Sequence, residues 1–391
     1  MTETPPLPAA DLSRPSPSPS GAAAPTMFIA IEGLRGVSIL IVMLFHSIGQ
    51  YVLHPLPGAF FIVDFFYALS GFVLSHVYGA RLAKGLGCLG FMRLRLIRIY
   101  PLYLLSLFIA VGTNLGIALT RGLPEPGLFL VSIAASALLV PLVQSLAWRH
   151  HHPYPFNGTT WTLLWELVVN IIWSTLGPRL TNRLLVIFIA IGVAMLVFAL
   201  SLPTGLEHGG AFSNFHVGGL RVVYGFFAGI AAYRLWERGF FPWLRLPFWG
   251  SALALMTIIC LRPVNGNFVY DLSAALIMPA LVFASTSTVP RRLIPIFAGV
   301  GRITYAAYIL NFPILLALDQ ILPRFGLPIL TSAIIRVPLF IALTLAVSFA
   351  ADRWLDHPMR VWLSRKFASG NRGHAPGDRP AKRENLSLIH I

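Results

Sequence analysis

An arginine and a histidine lie eleven residues apart in one apolar stretch near the start of the chain, at Arg35 and His46. Eleven residues make about three turns of α-helix, so the two side chains share one face, roughly 16 Å apart along the axis. Ionisable side chains at membrane depth are costly and usually face a cavity or a partner, which favours a functional role. The alternative is that Arg35 extends to the cytoplasmic surface and His46 is a hydrogen-bonded interior residue.

Three basic side chains in a short segment form a second candidate group: Arg93, Arg95 and Arg98. Arg95 and Arg98 are three residues apart and share a helical face, whereas Arg93 points elsewhere. A guanidinium donates paired hydrogen bonds to phosphate oxygens, so the segment suits a ligand with several phosphates. The alternative is that these arginines set the topology and contact anionic lipid head groups.

Two carboxylates stand inside apolar runs. Asp64 either pairs with an arginine of another helix or takes part in catalysis, and Ser70 and Gly71 follow it. The glycine lies two turns further on the same face and would let a neighbouring helix approach. Glu166 is too deep in its helix to be a capping carboxylate, so it takes part in chemistry or holds helices together. Trp161, just before it, is expected at the membrane interface.

Two later runs carry polar side chains as well. Arg221 begins a run in which Gly225 and Gly229 form a small-residue face that favours close helix packing. Tyr305 and Asn311 belong to another membrane helix. These residues add candidates for structural or substrate-positioning roles.

Metal and disulfide chemistry find little support in the sequence. The adjacent histidines 150–152 cannot all face one ion on a regular element, and no carboxylate or cysteine spacing supports them, so we predict no metal site. Cys88 and Cys260 are isolated and offer no disulfide framework.

The elements that must position these side chains are membrane helices. Of the 391 residues, 56% are hydrophobic and 11% are charged, and apolar runs repeatedly reach the ~20 residues that cross a bilayer. The formal charge of +15 lies mainly in short loops, as the positive-inside rule expects. No basic stripe is interleaved with exposed aromatic residues, which argues against a nucleic-acid partner. We therefore predict an all-α polytopic protein surrounded by membrane lipids.

The placement of charge between the apolar runs predicts the topology. It allows only an odd number of crossings between residues 99 and 146. We therefore expect about ten transmembrane helices plus one re-entrant or half-inserted segment in that region, with residues 81–98 as a cytoplasmic loop and both termini cytoplasmic. The runs lie at about 31–52, 59–78, 99–119, 127–146, 161–177, 183–202, 217–236, 247–262, 270–288, 301–322 and 328–351.

The two ends of the chain differ from the rest. Residues 1–27 are rich in Pro, Ser and Ala and are expected to form a disordered cytoplasmic tail. The membrane domain spans residues 28–366. Residues 367–391 are predicted to form a second disordered tail. Within that tail, residues 386–391 resemble the translation of a transposase end used in sequencing libraries, which suggests a sequencing artefact.

Four stretches follow one another along the chain: Arg35-x10-His46, Asp64-x-Phe-Phe-x-x-Leu-Ser-Gly-Phe72, Arg95-x-x-Arg-Ile-Tyr-Pro101 and Trp161-Thr-Leu-x-x-Glu166. Together they resemble the acyltransferase 3 family of integral membrane enzymes, whose members O-acylate cell-surface polysaccharides, lipids and some small molecules. The resemblance covers about residues 28–366. The family often has a histidine where Asn311 stands, which weakens any catalytic role for that position. Its acidic-basic-proline ending appears here as Asp356-His357-Pro358.

The resemblance implies transfer of an acyl group, commonly acetyl, from cytoplasmic acyl-coenzyme A to a hydroxyl of a cell-surface glycan, a lipid-linked sugar or a similar acceptor. Acyl-coenzyme A would be a co-substrate, with no permanently bound cofactor. His46 would be the general base, and Glu166 would orient it or bind the acceptor. The arginines that would hold the donor are Arg35, Arg93, Arg95 and Arg98. The structural or substrate-positioning residues would be Asp64, Ser70, Tyr100, Trp161, Arg221, Tyr305 and Asn311.

This mechanism needs a water-accessible passage inside the bundle that joins His46 to the arginine-rich inner rim. The alternative function is a polytopic transporter or exporter of a polar solute, in which the buried ionisable residues form a substrate or proton path. The lack of an internal repeat and the single dense arginine segment favour the enzyme. The expected location is the inner (cytoplasmic) membrane.

Overall fold

The computed structural model of the chain describes residues 28–48, 56–150, 152–207, 209–326 and 332–369. The predicted tail 1–27 and residues 370–391 of the second tail lie outside them. Within the described ranges the regular structure is helical and no strand occurs, which confirms the predicted all-α fold. The α-helices are α1 (Ile29–Ile48), α2 (Phe61–Ala83), α3 (Cys88–Arg121), α4 (Pro126–Ala137), α5 (Thr160–Leu176), α6 (Asn182–Ser201), α7 (Phe215–Glu237), α8 (Phe248–Cys260), α9 (Phe268–Ala284), α10 (Ile294–Ile321), α11 (Ala333–Ala351) and α12 (His357–Ser369).

Seven helical stretches among the described residues are long and apolar enough to cross a bilayer, and they contain α1, α2, α3, α6, α7, α10 and α11. The chain is therefore a multi-pass membrane protein. Helices α4, α8 and α9 are apolar but shorter. At 1.5 Å per residue the 12 residues of α4 rise about 18 Å, less than the ~30 Å of hydrocarbon. This short helix lies where we expect a half-inserted segment, and the count of about ten crossings stays a prediction.

The prediction of a loop over residues 81–98 is wrong at both ends, because α2 continues to Ala83 and only residues 84–87 connect it to α3. Helix α3 begins at Cys88 and continues for 34 residues, with Pro101 inside it. Between Gly90 and this proline the sequence has no helix breaker and is rich in Leu and Arg, which favour helix. An interior proline is tolerated in membrane helices. The arginines therefore project from a helix, on which Arg95 and Arg98 share a face as expected.

Helices α2 and α7 pack backbone against backbone. Gly71 of α2 lies against the carbonyl oxygen of Phe226, and Gly229 of α7 lies against the carbonyl oxygen of Ala68. A Cβ atom does not fit at either glycine without a shift of the neighbouring backbone. Gly225 faces α2 in the same interface. The close packing predicted from these small residues is confirmed.

Helices α1 and α10 run parallel, and α2 runs antiparallel to both. Glu32 at the start of α1 contacts Gly301 near the start of α10, whereas His46 near its end contacts α10 ten residues further on. The Phe28 ring, just before α1, lies 4.6 Å from the His76 ring near the end of α2. We call the end of the bundle where α1 begins the inner end, and the opposite end the outer end.

The loop before α5 is fastened to two helices through Asn157, which is 3% exposed. Its Nδ2 donates hydrogen bonds to the Ile309 carbonyl of α10 at 2.9 Å and to Ser106 Oγ of α3 at 3.3 Å. Its Oδ1 accepts hydrogen bonds from the backbone and hydroxyl of Thr159. The start of α5 is thereby held against α3 and α10.

Candidate active site

A cavity of about 170 Å³ lies between α1, α2, α3, α5 and α10. Its apolar wall comes largely from α2, along which the lining extends from Val63 to Leu74. These residues are eleven positions apart, so the cavity follows about 16 Å of that helix. Six predicted site residues line it: Arg35, Ser70, Arg95, Arg98, Glu166 and Tyr305.

Arg35 lines this cavity. Its Nη1 lies 2.8 Å from Glu32 Oε2, one turn earlier on α1, and its side chain is 17% exposed. Gly301 makes room for this glutamate, because a Cβ there would collide with the carboxylate. Sequence reasoning missed Glu32, although its i,i+3 spacing from Arg35 is a local signal.

Glu166 forms an ion pair with Arg95 inside the cavity. Arg95 Nη2 lies 2.6 Å from Glu166 Oε1, and Ser70 Oγ donates a 2.8 Å hydrogen bond to the same oxygen. Charge-assisted hydrogen bonds of this kind are stronger than neutral ones. The structure thus places Glu166 with α2 and α3. It does not support the predicted role in which Glu166 orients His46.

Arg98 is held at the inner end by a carboxylate from the last part of the chain. Its Nη1 lies 3.3 Å from Asp356 Oδ2, and this carboxylate also pairs with Arg360 at 2.9 Å. The guanidinium carbon lies 5.2 Å from the centre of the Tyr305 ring. The Tyr305 hydroxyl donates to the Ile99 carbonyl at 2.9 Å. The sequence suggested only the acidic-basic-proline ending at Asp356, whereas the structure brings that residue to Arg98, which lines the cavity.

Asp356 belongs to a five-residue π-helical segment, Asp352–Asp356, between α11 and α12. π-helical turns are rare and occur frequently at functional sites. The extra residue in the turn changes the direction in which the following side chains project. The segment thereby brings the carboxylate of a different helix to α3.

His46 is held by Asn311. The imidazole Nδ1 lies 2.8 Å from Asn311 Oδ1, and the amide Nδ2 donates to the carbonyls of Ala307 and Tyr308 at 3.3 Å and 2.5 Å. These two carbonyls fix the orientation of the amide, because only its nitrogen can donate to them. The amide oxygen therefore faces the imidazole, Nδ1 carries the proton, and Nε2 keeps a free lone pair.

This arrangement gives the predicted position 311 a definite role. Its amide oxygen orients the His46 imidazole through the hydrogen bond with Nδ1. The imidazole is half-buried, and the ring of Phe312 stands at 89° to it with the centres 6.2 Å apart. Asn311 thus fixes one imidazole nitrogen of His46, and no described residue forms a hydrogen bond with the other.

Asp64 forms a buried ion pair with Arg221, as expected if this carboxylate pairs with an arginine of another helix. The arginine donates Nε to Asp64 Oδ1 at 3.0 Å and Nη2 to Oδ2 at 2.7 Å, with the two side chains 1% and 4% exposed. The remaining donors reach the carbonyls of Leu206 and Phe60, each at 2.8 Å. The ion pair joins α2 to α7. Neither side chain is among the described residues that line the cavity.

Three other predicted site residues lie away from the cavity lining given by the described residues. Arg93 of α3 is exposed. Tyr100 is partly buried, with its ring 6.0 Å from that of Tyr103. Trp161 packs in a groove that Gly218 leaves open, where a Cβ would lie 2.7 Å from the indole.

The two described histidines of the group at 150–152 bind protein oxygens. His150 contacts the Gln144 carbonyl and the Glu125 carboxylate, and His152 contacts the Gly210 carbonyl. Within the part of the chain that the structure describes, no group of three or more His, Cys, Asp or Glu side chains is arranged to hold a metal ion. His151 lies outside the described residues.

The expected open passage from the arginines to His46 stays a prediction, because this cavity does not by itself provide it. His46 is not one of the described residues that line the cavity. On α10 the last residue of the lining is Tyr308. The Tyr308 hydroxyl is hydrogen-bonded to Thr162 Oγ1 at 2.7 Å. On α10 the described lining thus ends one helical turn short of Asn311, which holds the imidazole.

Comparison with known proteins adds an independent finding. A family model described as an acyltransferase domain matches residues 28–353. "Protein 2 in picA locus" of Rhizobium radiobacter is 31% identical over 191 residues, which cover 45% of this chain and 95% of that protein. No solved structure matches the chain. The matched region contains the five helices that line the cavity, and it ends three residues before Asp356.

Proposed function

The chain belongs to the acyltransferase 3 family and is a membrane acyltransferase, and from this premise we propose that it transfers an acyl group, acetyl in the first instance, from acyl-coenzyme A to an acceptor hydroxyl. The acceptor would be part of a cell-surface glycan, a lipid-linked sugar or a similar molecule. The family assignment favours this enzyme over a transporter of a polar solute. Acyl-coenzyme A acts as a co-substrate, and no permanently bound cofactor or nucleic-acid partner is proposed.

The observation that carries the proposal is the convergence of three guanidiniums on one cavity, from Arg35, Arg95 and Arg98. Coenzyme A carries several phosphate groups, and arginine binds phosphate oxygens through paired hydrogen bonds. Each arginine already has a carboxylate partner, Glu32, Glu166 or Asp356. Binding of the donor is therefore an exchange of partners, in which phosphates compete with fixed carboxylates and the arginines are oriented beforehand.

His46 is the proposed general base. Because Asn311 holds the Nδ1 proton, Nε2 is the nitrogen that takes the proton from the acceptor hydroxyl. The hydroxyl oxygen then bonds to the thioester carbonyl carbon, the carbon–sulfur bond breaks, and coenzyme A leaves as the thiolate. The proton on Nε2 neutralises the thiolate or passes to solvent.

The proposed location is the inner (cytoplasmic) membrane, with both termini in the cytoplasm and lipids around the bundle. The inner end carries Arg35 and Arg98, together with Asp356, which pairs with both Arg98 and Arg360. Clusters of arginine on one side of a membrane bundle are typical of the cytoplasmic side. The donor would then enter from the cytoplasm, and the acceptor would reach His46 from the outer end.

The test uses purified protein in lipid nanodiscs, acetyl-coenzyme A labelled in the acetyl group, and native membranes as the source of acceptor. We expect thioester consumption by the natural protein and loss of transfer in His46→Ala with the fold retained. Arg98→Glu is expected to raise the KM for acetyl-coenzyme A about tenfold or more, because a charge-assisted hydrogen bond is replaced by repulsion. Arg183→Glu, an exposed arginine at the start of α6, is the charge-matched control. No thioester consumption by the natural protein would overturn the proposal.

A further inference from the structure

Three side chains from three helices contact one another in the outer part of the cavity: Phe66, Thr162 and Tyr308. The Tyr308 hydroxyl of α10 and Thr162 Oγ1 of α5 are 2.7 Å apart. Thr162 donates its own hydroxyl hydrogen to the Thr159 carbonyl at 2.8 Å, so it accepts from Tyr308. The Phe66 ring of α2 meets the Tyr308 ring edge-on, with the centres 5.8 Å apart at 74°. One hydrogen bond and one aromatic contact therefore join α2, α5 and α10 here, and we call this group of contacts the closure.

This closure separates the two halves of the proposed reaction. The arginines lie on the cavity side of Tyr308, and His46 is held by Asn311, three residues further along α10. Three residues of helix rise about 4.5 Å. Acyl transfer needs the reacting atoms about 3–3.5 Å apart, so the acyl group must pass this closure before the hydroxyl can attack it.

We propose that Phe66, Thr162 and Tyr308 form a gate between the donor cavity and His46, which opens for the acyl group and otherwise keeps water from the thioester. The inference rests on the proposed function. Opening occurs by rotation of the Tyr308 side chain. The backbone of α2 is fixed to α7 by the contact of Gly71 with Phe226 and cannot slide readily.

The gate suppresses a defined side reaction. If water reaches the thioester, its oxygen bonds to the carbonyl carbon, the carbon–sulfur bond breaks, and the products are the free acid and the coenzyme A thiol. This hydrolysis needs no acceptor and no other co-reactant. Exclusion of water from reactive intermediates is a general function of closed active sites.

The first experiment is a double-mutant cycle with Tyr308→Phe and Thr162→Val in nanodiscs. Each change removes the hydrogen bond between Tyr308 and Thr162 and keeps most of the side-chain volume, and Thr162→Val also removes the hydrogen bond to the Thr159 carbonyl. We expect release of coenzyme A thiol without acceptor, relative to transfer in native membranes, to rise about tenfold in each single variant. The double variant should rise no further, because both changes break one interaction. Tyr224→Phe is the control, since it removes a 2.7 Å hydrogen bond to Leu276 between α7 and α9.

Either of two results from the double-mutant cycle would overturn the proposed gate. These are an unchanged ratio of hydrolysis to transfer in all three variants, and effects that add in the double variant. A general loss of packing would raise hydrolysis in the Tyr224→Phe control as well. If the natural protein consumes no thioester, the proposed function fails, and the gate is judged by the second experiment.

The second experiment measures access to the cavity and needs no enzymatic activity. Ser70→Cys places a thiol on the cavity wall, in a chain whose Cys88 and Cys260 are replaced by alanine. A membrane-impermeant maleimide is added to intact cells. Labelling is expected to be slow with Tyr308 present and about tenfold faster with Tyr308→Ala. Equal labelling rates would show that the residue does not close the outer end.

Discussion

Replacing Asp64 with asparagine removes the carboxylate that neutralises Arg221 in the interior. The side chain of Asp64 is 4% exposed and that of Arg221 is 1% exposed. The aspartate accepts two of the hydrogen bonds that the guanidinium donates. Breaking a buried pair by removing one partner typically costs about 3–5 kcal/mol. Two carbonyl oxygens still bind the arginine here, so we expect the lower part of that range, about 3 kcal/mol.

The assay is the temperature at which half of the detergent-solubilised protein loses its monodisperse peak after heating. Asp64→Asn should lower it clearly, and the double variant Asp64→Leu/Arg221→Met should recover much of the loss, because no charge is then left unpaired. Glu237→Gln, at an exposed hydrogen bond with Tyr233, is the control and should change stability by less than about 0.5 kcal/mol. A structural role is refuted if Asp64→Asn is as stable as the natural protein. It is refuted equally if a stable double variant consumes no thioester.

Three further predictions concern other parts of the molecule. Asn311→Ala should lower kcat about tenfold to hundredfold and change the pH–rate profile without raising the KM for acyl-coenzyme A, because His46 loses its fixed tautomer; an unchanged profile would contradict this. Gly229→Leu should prevent assembly of α2 with α7, because the side chain must displace the Ala68 carbonyl; a normal yield of monodisperse protein would contradict it. Hydrogen bonds with a loop carbonyl and a glutamate raise the pKa of His150 above its usual 6.5. Because the cation is the favoured form, the protection of residues 144–150 from hydrogen exchange should be present below that value and decrease as the pH rises through the raised pKa, and His150→Gln should abolish the pH dependence.

Several features of the fold follow from local sequence. Arg95 and Arg98 share a face because they are three residues apart on a helix, and both line the cavity. Gly71 and Gly229 allow close packing because they lack a side chain, and both meet a backbone carbonyl of the partner helix. A carboxylate in an apolar run needs a positive partner, and Asp64 has one. In each case the physical requirement is visible within a few turns of the chain.

The partners in the candidate site could not be predicted in the same way. Glu166 and Arg95 are 71 positions apart, Arg98 and Asp356 are 258 apart, and His46 and Asn311 are 265 apart. Such pairs depend on which helices are neighbours in the bundle, and the periodicity of one helix carries no information about that. The π-helical turn that delivers Asp356 has no marked sequence signature either.

The Asn157-Gly-Thr159 segment has the spacing of an N-glycosylation acceptor, in which the asparagine nitrogen receives the first sugar. That nitrogen is buried and already occupied by two oxygen acceptors, one on each of two helices. A sugar attached there would have to detach α5 from both neighbours. We therefore expect the folded protein to carry no oligosaccharide at this sequon.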